Sequence, residues 1–84
     1  MKLVFAEQAW EDYRYWQQQD KRVVKRINAL IEATVREPFN GIGKPEPLKH
    51  ALAGYWSRRI NDEHRMVYKP ERDALLIAQL RYHY

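Results

Sequence analysis

The sequence predicts an α+β domain in which two N-terminal helices pack on a small antiparallel sheet, in the order β-α-α-β-β-β. Three observations support this prediction. Apolar residues recur every three or four positions between residues 23 and 35, as in an amphipathic helix. A run rich in helix formers precedes that segment, and three strand-like runs follow it, separated by short turn segments. Helices and strands segregated along the chain are typical of α+β folds.

The first half of the chain supplies one strand and two helices. "KLVFA" (2–6) has the composition of a short strand, and "EQAWEDYRYWQQQ" (7–19) is rich in helix formers. Asp20 stands where the N-cap of the second helix is expected, and Pro38 ends that helix. The predicted apolar faces are Ala9, Tyr13 and Trp16 with Trp10 beside them in the first helix, and Val23, Val24, Ile27, Leu30, Ile31 and Val35 in the second.

The second half contains a loop and then three strands. "PFNGIGKPEPLKH" (38–50) holds three of the four prolines and two of the three glycines, so it is predicted to be an irregular loop. "GYWSRRI" (54–60), "HRMVYK" (64–69) and "ALLIAQLRYHY" (74–84) are predicted strands. The separators "NDE" and "PERD" have turn composition, and connections this short force antiparallel neighbours.

Length, charge and cysteine content narrow the classes to which the protein can belong. Eighty-four residues fit one domain, 1–84. The lack of cysteine excludes disulfides and thiolate metal sites. No segment has the length and apolarity of a signal peptide or a membrane span, so we expect a soluble, cytoplasmic protein with no membrane partner. The net charge of +4 suits a polyanionic partner as well as it suits an ordinary solvated surface.

Two arginines are predicted to stand side by side on the first hairpin of the sheet. If "NDE" is a three-residue loop, Arg59 pairs with Arg65, while Trp56, Ile60, Met66 and Tyr68 occupy the apolar face. Opposed like charges destabilise a sheet unless an anion lies between them. Paired guanidinium groups suit a phosphate because each donates two parallel hydrogen bonds. An internal carboxylate between them, or two side chains splayed into water, remain the alternatives.

The loop carries a glutamate held between two prolines. Pro45 and Pro47 restrict the backbone at Glu46, so its carboxylate has few orientations, and Lys49 follows three residues later. A pre-organised carboxylate near cations is a candidate general base. A surface residue in a salt bridge is the alternative, and the motif alone somewhat favours it. His50 and His64 are interpreted most simply as structural or exposed histidines.

The last predicted strand ends in "RYHY". Strand alternation puts Leu75, Ile77, Gln79, Arg81 and His83 on one face, and Leu76, Ala78, Leu80, Tyr82 and Tyr84 on the other. A terminal carboxylate beside His83, or a bound phosphate, would favour the imidazolium form, which makes this residue a candidate general acid. A frayed terminal histidine is the alternative that residue chemistry alone favours.

A carboxylate base, an imidazolium acid and several cations are the groups that RNA cleavage without a metal requires. The base deprotonates the ribose 2′-hydroxyl, which attacks the adjacent phosphorus; cations stabilise the transition state, and the acid protonates the leaving 5′-oxygen. DNA lacks the 2′-hydroxyl and cannot react in this way. The sequence has no metal-ligand spacing and no Gly-rich phosphate loop, so we expect no cofactor.

These residues together resemble the YoeB-type toxins of the RelE superfamily, which are ribosome-dependent mRNA interferases. The resemblance runs through "MKLVFAEQAWEDYRYW", "KPEPLKH", "WSRRINDEHRMVY" and "RYHY" and covers essentially the whole chain. It implies a RelE-like fold and cleavage of mRNA in the ribosomal A site. The roles it implies are Glu46 as general base, His83 as general acid, Arg65 at the transition-state phosphate, Tyr84 in RNA positioning, and Lys49 and Arg59 as supporting cations.

The resemblance also implies partners and products. The partners are mRNA on the ribosome, a YefM-type antitoxin that covers the site, and a second copy of the chain in a homodimer. The products are a 2′,3′-cyclic phosphate and a 5′-hydroxyl end. Two other functions stay open: a gyrase inhibitor of the ParE-like branch, whose fold is similar, and a basic RNA-binding module without catalytic activity.

Overall fold

The structure, a computed structural model, describes residues 1–83 as two helices on one face of a five-stranded sheet. The helices are α1 (Glu7–Gln19) and α2 (Lys21–Arg36), and a 3-10 turn covers His50–Leu52. The strands are β1 (Lys2–Phe5), β2 (Glu46–Pro47), β3 (Trp56–Arg59), β4 (Arg65–Pro70) and β5 (Ala74–Gln79). The predicted α+β class and the order of one strand, two helices and three C-terminal strands are confirmed.

The sheet has the order β1-β5-β4-β3-β2 and is mixed, so the prediction of a purely antiparallel sheet is wrong at one edge. β1 pairs with β5 in parallel, while the other three pairings are antiparallel. Short turns force antiparallel pairing only between consecutive strands, whereas most of the chain connects β1 to β5. β2 is a further difference, because its two residues lie in the segment predicted to be only loop.

The two helices form as the sequence predicts and meet at a single residue, Asp20. Its carboxylate accepts a hydrogen bond from the backbone N–H of Arg22 (3.0 Å), which is the predicted N-cap of α2. α2 ends at Arg36, and Glu37 is extended because the residue before a proline avoids the helical region. Trp10 and Val35, predicted on or beside the apolar faces, are exposed. No helix among the described residues is long and apolar enough to cross a membrane.

The core lies between the helices and one face of the sheet. Side chains from both helices meet side chains from β4, β5 and the end of β3 there. The largest fully buried apolar residues are Ile27, Leu30, Met66, Tyr68, Leu75, Ile77 and Leu80. The helices cover only this face, so the outward-pointing side chains of β3 and β4 are left available for a site on the other face.

The final strand is shorter and less regular than predicted. Tyr68 pairs with Ile77 and Val67 with Gln79, so Ala78 is an extra residue in β5, a β-bulge. The bulge reverses the alternation, and the strand ends at Gln79 rather than continuing to residue 84. Tyr82 then adopts φ +65°, outside any strand conformation. The predicted faces of Gln79, Arg81 and His83 are therefore wrong, and Tyr84 lies outside the described residues.

Candidate active site

The candidate site lies on the sheet face that the helices leave uncovered. Directly opposed residues share a face, and the pairings Glu46–Ser57, Ser57–Val67 and Val67–Gln79 form one row across four strands. At about 4.8 Å between neighbouring strands, this row spans roughly 14 Å. Ser57 and Val67 are each 3% exposed although no helix covers them. They lie in the middle of the row, with Glu46 at one end and Gln79 at the other.

The predicted pairing of Arg59 with Arg65 is confirmed, and the pair lies beside this row. Arg59 Nη2 contacts Asp62 Oδ1 at 3.1 Å. Arg65 Nη1 donates to the backbone carbonyls of Asn61 (2.6 Å), His64 (3.0 Å) and Asp62 (3.3 Å). The like charges are therefore balanced by the turn, including the internal carboxylate that the sequence left as an alternative. The Asp62 side chain is fully exposed, so a phosphate would displace it from Arg59 at little cost.

Glu46 is exposed and lies on the same face as the two arginines. Among residues 1–83 it forms no ion pair, so the alternative of a surface salt bridge is not observed. Lys49 is also exposed and precedes the 3-10 turn. A cavity of about 480 Å³, lined by residues 47–52, lies beside Lys49 at the Glu46 end of the row. Both side chains are therefore accessible to a ligand.

A buried arginine, which the sequence analysis missed, fixes the loop before Glu46. Arg58 is fully buried on the core face, between the apolar residues of β3. Its guanidinium donates to Tyr68 Oη (3.2 Å) and to three backbone carbonyls, those of Glu37, Asn40 and Ile42. The signal available in the sequence was strand parity, which places residue 58 on the same face as residues 56 and 60.

Tyr68 completes this buried network. Its hydroxyl accepts from Arg58 and donates to the carbonyl of Pro38 at 2.7 Å. Burial raises the pKa of Tyr68 above its ordinary value of 10.0, although the hydrogen bond and positive charge of Arg58 act in the opposite direction. The loop also approaches β3 directly, since Arg59 N donates to the Gly43 carbonyl at 2.7 Å. The irregular segment is thus bound to the sheet just before Glu46.

The C-terminal segment returns to the other end of the row. Gln79, which the bulge places on the site face, donates from Nε2 to the carbonyls of Arg81 (2.7 Å), His83 (3.2 Å) and Tyr82 (3.4 Å). Arg65 N donates to the Tyr82 carbonyl at 3.0 Å. His83 is exposed in this hydrogen-bonded turn rather than in a strand. Only its neighbour Tyr84 lies beyond the described residues, so the predicted role of that residue stays a prediction.

The fold therefore brings the candidate groups to one surface. Glu46, the Arg59–Arg65 pair and the segment that carries His83 follow one another across the open face of the sheet, and Lys49 is exposed just after β2, next to the cavity lined by residues 47–52. Residues 1–83 contain no group of three histidine, aspartate or glutamate side chains that would hold a metal ion. A carboxylate, cations and an imidazole in this order suit proton transfer around a phosphodiester.

Residues 5–84 match the family described as "YoeB-like toxin of bacterial type II toxin-antitoxin system". The chain belongs to this family. It is similar to Toxin YoeB of Escherichia coli strain K12, with 63% identity over the full length of both chains. The YoeB-like chain is therefore a toxin of a bacterial toxin–antitoxin system, as its resemblance to YoeB-type toxins predicted.

Solved structures of YoeB-like proteins have the same fold. A "YoeB/ParE toxin from Agrobacterium tumefaciens" superimposes with a TM-score of 0.97 at 52% identity, covering all of both chains. A YoeB dimer from Staphylococcus aureus gives 0.94 at 50% identity, covering the whole of this chain and 98% of the other. YafQ from E. coli, at 16% identity and a TM-score of 0.79, shares the fold alone and covers 96% of this chain and 91% of its own. The predicted RelE-like fold is confirmed.

Proposed function

We propose that this YoeB-like toxin is an endoribonuclease, an mRNA interferase that cuts mRNA in the ribosomal A site and so inhibits translation. The observation that carries the proposal is the order of groups on the open sheet face. Glu46 lies on one side of the Arg59–Arg65 pair, and the segment bearing His83 lies on the other. A phosphodiester bound by the arginines would then have a base on one flank and an acid on the other.

The proposed reaction needs no group beyond these side chains and the RNA. Glu46 takes the proton of the ribose 2′-hydroxyl, and the resulting oxygen nucleophile attacks the adjacent phosphorus. Arg65 stabilises the charge that develops on the phosphoryl oxygens, because its guanidinium donates two parallel hydrogen bonds to an anion. His83, as the imidazolium, protonates the 5′-oxygen as the P–O bond breaks. The products are a 2′,3′-cyclic phosphate and a 5′-hydroxyl end.

Three further residues have supporting roles in this proposal. Arg59 contributes positive charge next to Arg65, and its exposed contact with Asp62 gives way to the scissile phosphate. Lys49, exposed at the Glu46 end, contacts the neighbouring phosphate. Tyr84 positions the RNA at the His83 end, for which an aromatic ring that stacks on a base is suited.

The proposed partners are mRNA with ribosomal RNA, an antitoxin and a second copy of the chain. A YoeB–YefM heterotetramer from S. aureus superimposes on this chain with a TM-score of 0.92 at 50% identity, which supports a YefM-type antitoxin. The S. aureus YoeB dimer supports a homodimer. An antitoxin segment rich in acidic residues would compete with RNA for the exposed cations of the site. The site of action would be the cytoplasm, where ribosomes are.

The test is cleavage of ribosome-bound mRNA, mapped by primer extension. We expect cuts within the A-site codon, and we expect Glu46→Gln, Arg65→Met and His83→Gln each to slow them by about 10²-fold or more. Glu71→Gln is the matched control, because Glu71 is an exposed carboxylate in the turn at the far end of β4. Deleting Tyr84 should impair cleavage without lowering the melting temperature.

Two other outcomes correspond to the alternatives. Intact mRNA together with inhibition of DNA gyrase would favour the ParE-like function, because the similar A. tumefaciens protein is described as a YoeB/ParE toxin. Intact mRNA with salt-dependent RNA binding would favour a binding module without catalytic activity. Either outcome refutes the endoribonuclease proposal.

A further inference from the structure

His64 is a buried histidine whose role the proposed reaction leaves unassigned. It lies just after the turn between β3 and β4 and is 8% exposed. Its ring packs edge-on against Trp16 with centroids 4.8 Å apart. Its backbone is fixed on both sides, since His64 N donates to Asn61 Oδ1 (2.8 Å) and Ile60 N donates to the His64 carbonyl (3.0 Å). The imidazole therefore has a defined position next to the C-terminal segment.

The imidazole accepts a hydrogen bond from that segment. Tyr82 N donates to His64 Nδ1 at 2.7 Å, and the neighbouring residue Arg65 donates its own N–H to the Tyr82 carbonyl at 3.0 Å. Because Tyr82 N–H is the donor, His64 Nδ1 accepts this hydrogen bond with its lone pair. Tyr82 is thus held at its N–H by His64 and at its C=O by the next residue, Arg65.

The conformation held in this way is one that a tyrosine seldom adopts. Tyr82 has φ +65°, in the left-handed region that side chains other than glycine populate rarely. Such a conformation persists only where the surroundings determine it, and it is concentrated at functional sites. The residue that follows is His83, so the direction in which the chain leaves Tyr82 determines where the proposed general acid stands.

The rest of the segment is anchored independently of His64. Leu80 N donates to Asp12 Oδ2 at 3.0 Å, and Trp16 Nε1 donates to the Leu80 carbonyl at 2.8 Å. The Arg81 guanidinium lies over the ring of Tyr15, 3.6 Å from its centroid. These contacts fix the segment as far as residue 81 without His64. Loss of the His64 bond would therefore loosen the backbone at the Tyr82 N–H, while Arg65 N and Gln79 Nε2 still bind the Tyr82 carbonyl, and would leave the segment before it in place.

We propose that His64 is a positioning residue for the endonuclease site: through its Nδ1 acceptor it holds the Tyr82 backbone in the left-handed conformation that aims His83 at the phosphate beside Arg65. This inference rests on the proposed function, in which His83 is the general acid. His64 touches neither RNA nor the reacting atoms in this scheme. Its effect passes through one backbone N–H group.

A pair of variants of similar size separates the hydrogen bond from packing. His64→Asn keeps an acceptor, because the Asn Oδ1 atom, like Nδ1, is bonded to Cγ. His64→Leu fills a similar volume and retains apolar contact with Trp16, but it has no acceptor. In single-turnover cleavage at saturating ribosomes we expect His64→Leu to be slower by about 10²-fold, as for a reacting group misplaced by about 1 Å. His64→Asn should recover most of that loss, and both should bind ribosomes like the parent chain.

A spectroscopic measurement tests the hydrogen bond itself. With ¹⁵N-labelled protein, a coupling across the bond between the Tyr82 nitrogen and His64 Nδ1 should be observed. The Tyr82 amide proton should lie downfield and move upfield in His64→Leu. If His64→Leu melts at a lower temperature than the parent chain, the cleavage rates of His64→Leu and His64→Asn are compared at a temperature at which circular dichroism shows both variants fully folded.

The outcomes distinguish this inference from the proposed function. If the parent chain cuts mRNA and His83→Gln does not, but His64→Leu cuts at the parent rate, the positioning role is refuted and the function stands. Equal loss in His64→Leu and His64→Asn also refutes it, because the acceptor would then be irrelevant. Absence of the nitrogen–nitrogen coupling has the same consequence. If the parent chain does not cut mRNA, or if His83→Gln cuts normally, it is the proposed function that fails.

Discussion

Arg58 and Arg59 are adjacent arginines whose replacement by methionine should affect different properties, the stability of the fold for Arg58 and the rate of cleavage for Arg59. Arg58 points into the core and is fully buried, whereas the Arg59 side chain is 38% exposed on the site face. Methionine keeps most of the length of either side chain and removes the guanidinium. We expect Arg58→Met to destabilise the fold and Arg59→Met to slow cleavage.

The magnitude for Arg58→Met follows from the hydrogen bonds that it loses. A hydrogen bond from a charged donor contributes about 1.5–3 kcal/mol. Arg58 donates four hydrogen bonds, one to Tyr68 Oη and three to backbone carbonyls. The carbonyls belong to exposed loop residues that water can reach once the guanidinium is gone. Counting about half of the total leaves a loss of about 3–6 kcal/mol, similar to that for breaking a buried charged network.

The magnitude for Arg59→Met is much smaller. Its ion pair with Asp62 is exposed, and exposed pairs contribute about 0–1 kcal/mol. The substitution also removes the repulsion between Arg59 and Arg65. We therefore expect the free energy of unfolding to stay within about 1 kcal/mol of the parent value.

Urea denaturation followed by circular dichroism, with thermal melting, measures both variants. For a domain of this size a loss of 3 kcal/mol lowers the melting temperature by about 12 °C or more. If Arg58→Met unfolds at the same urea concentration and temperature as Arg59→Met, the buried guanidinium is not what holds the 37–43 loop, and the reasoning is refuted. Cleavage by Arg59→Met at the parent rate would separately refute its role at the phosphate.

Three further predictions concern stability. Because burial raises the pKa of Tyr68, the unfolded chain loses the phenol proton at lower pH than the folded chain. The contribution of Tyr68 to the free energy of unfolding should therefore be constant up to about pH 10 and fall above it. Urea midpoints measured from pH 8 to 11 should show this fall, and Tyr68→Phe should reduce it. Gly43→Ala should destabilise the fold by about 1–3 kcal/mol more than Gly54→Ala. Both glycines have positive φ, but a Cβ at residue 43 would lie 2.7 Å from a leucine methyl of α2, whereas a Cβ at residue 54 would have no neighbour closer than 3.8 Å. Asp12→Ala should cost about 1–3 kcal/mol in urea denaturation because it leaves Leu80 N–H without an acceptor, whereas the exposed neighbour Glu11→Ala should change little.

The parts of the fold that follow from local patterns could be predicted from the sequence. The α2 helix follows from a three- and four-residue apolar period with a capping aspartate, and its first and last residues agree with that pattern. The Arg59–Arg65 register follows from a three-residue turn. Both depend on residues close in sequence. The parallel pairing of β1 with β5 does not, because it joins the two ends of the chain and no turn specifies its direction.

The sequence names the candidate residues but does not predict how the chain arranges them. The residue types and the stiff backbone at Glu46 predict a base, the paired arginines predict a phosphate position, and both roles stay predictions. The bulge at Ala78 has no strong sequence signal, yet it turns Gln79 from the core face to the site face. Trp16 donates a hydrogen bond to the terminal segment, Asp12 and His64 accept hydrogen bonds from it, and all three bonds join residues at least 18 positions apart. Such contacts form only when the core is assembled, so they produce no periodic pattern in the amino-acid sequence.

The structure shows how the irregular segment after β5, which carries His83, is held in place. A segment without regular structure is mobile unless it is bound to the rest of the fold. Here the ties are arranged in sequence: α1 binds Leu80, an aromatic ring covers Arg81, and His64 with Arg65 binds Tyr82. Each of these contacts belongs to the core or to the hairpin that carries Arg59 and Arg65, the arginines proposed to bind phosphate. The segment that carries His83 is therefore attached to the same hairpin as Arg65, so a shift of the hairpin would move the proposed acid and the proposed cation together.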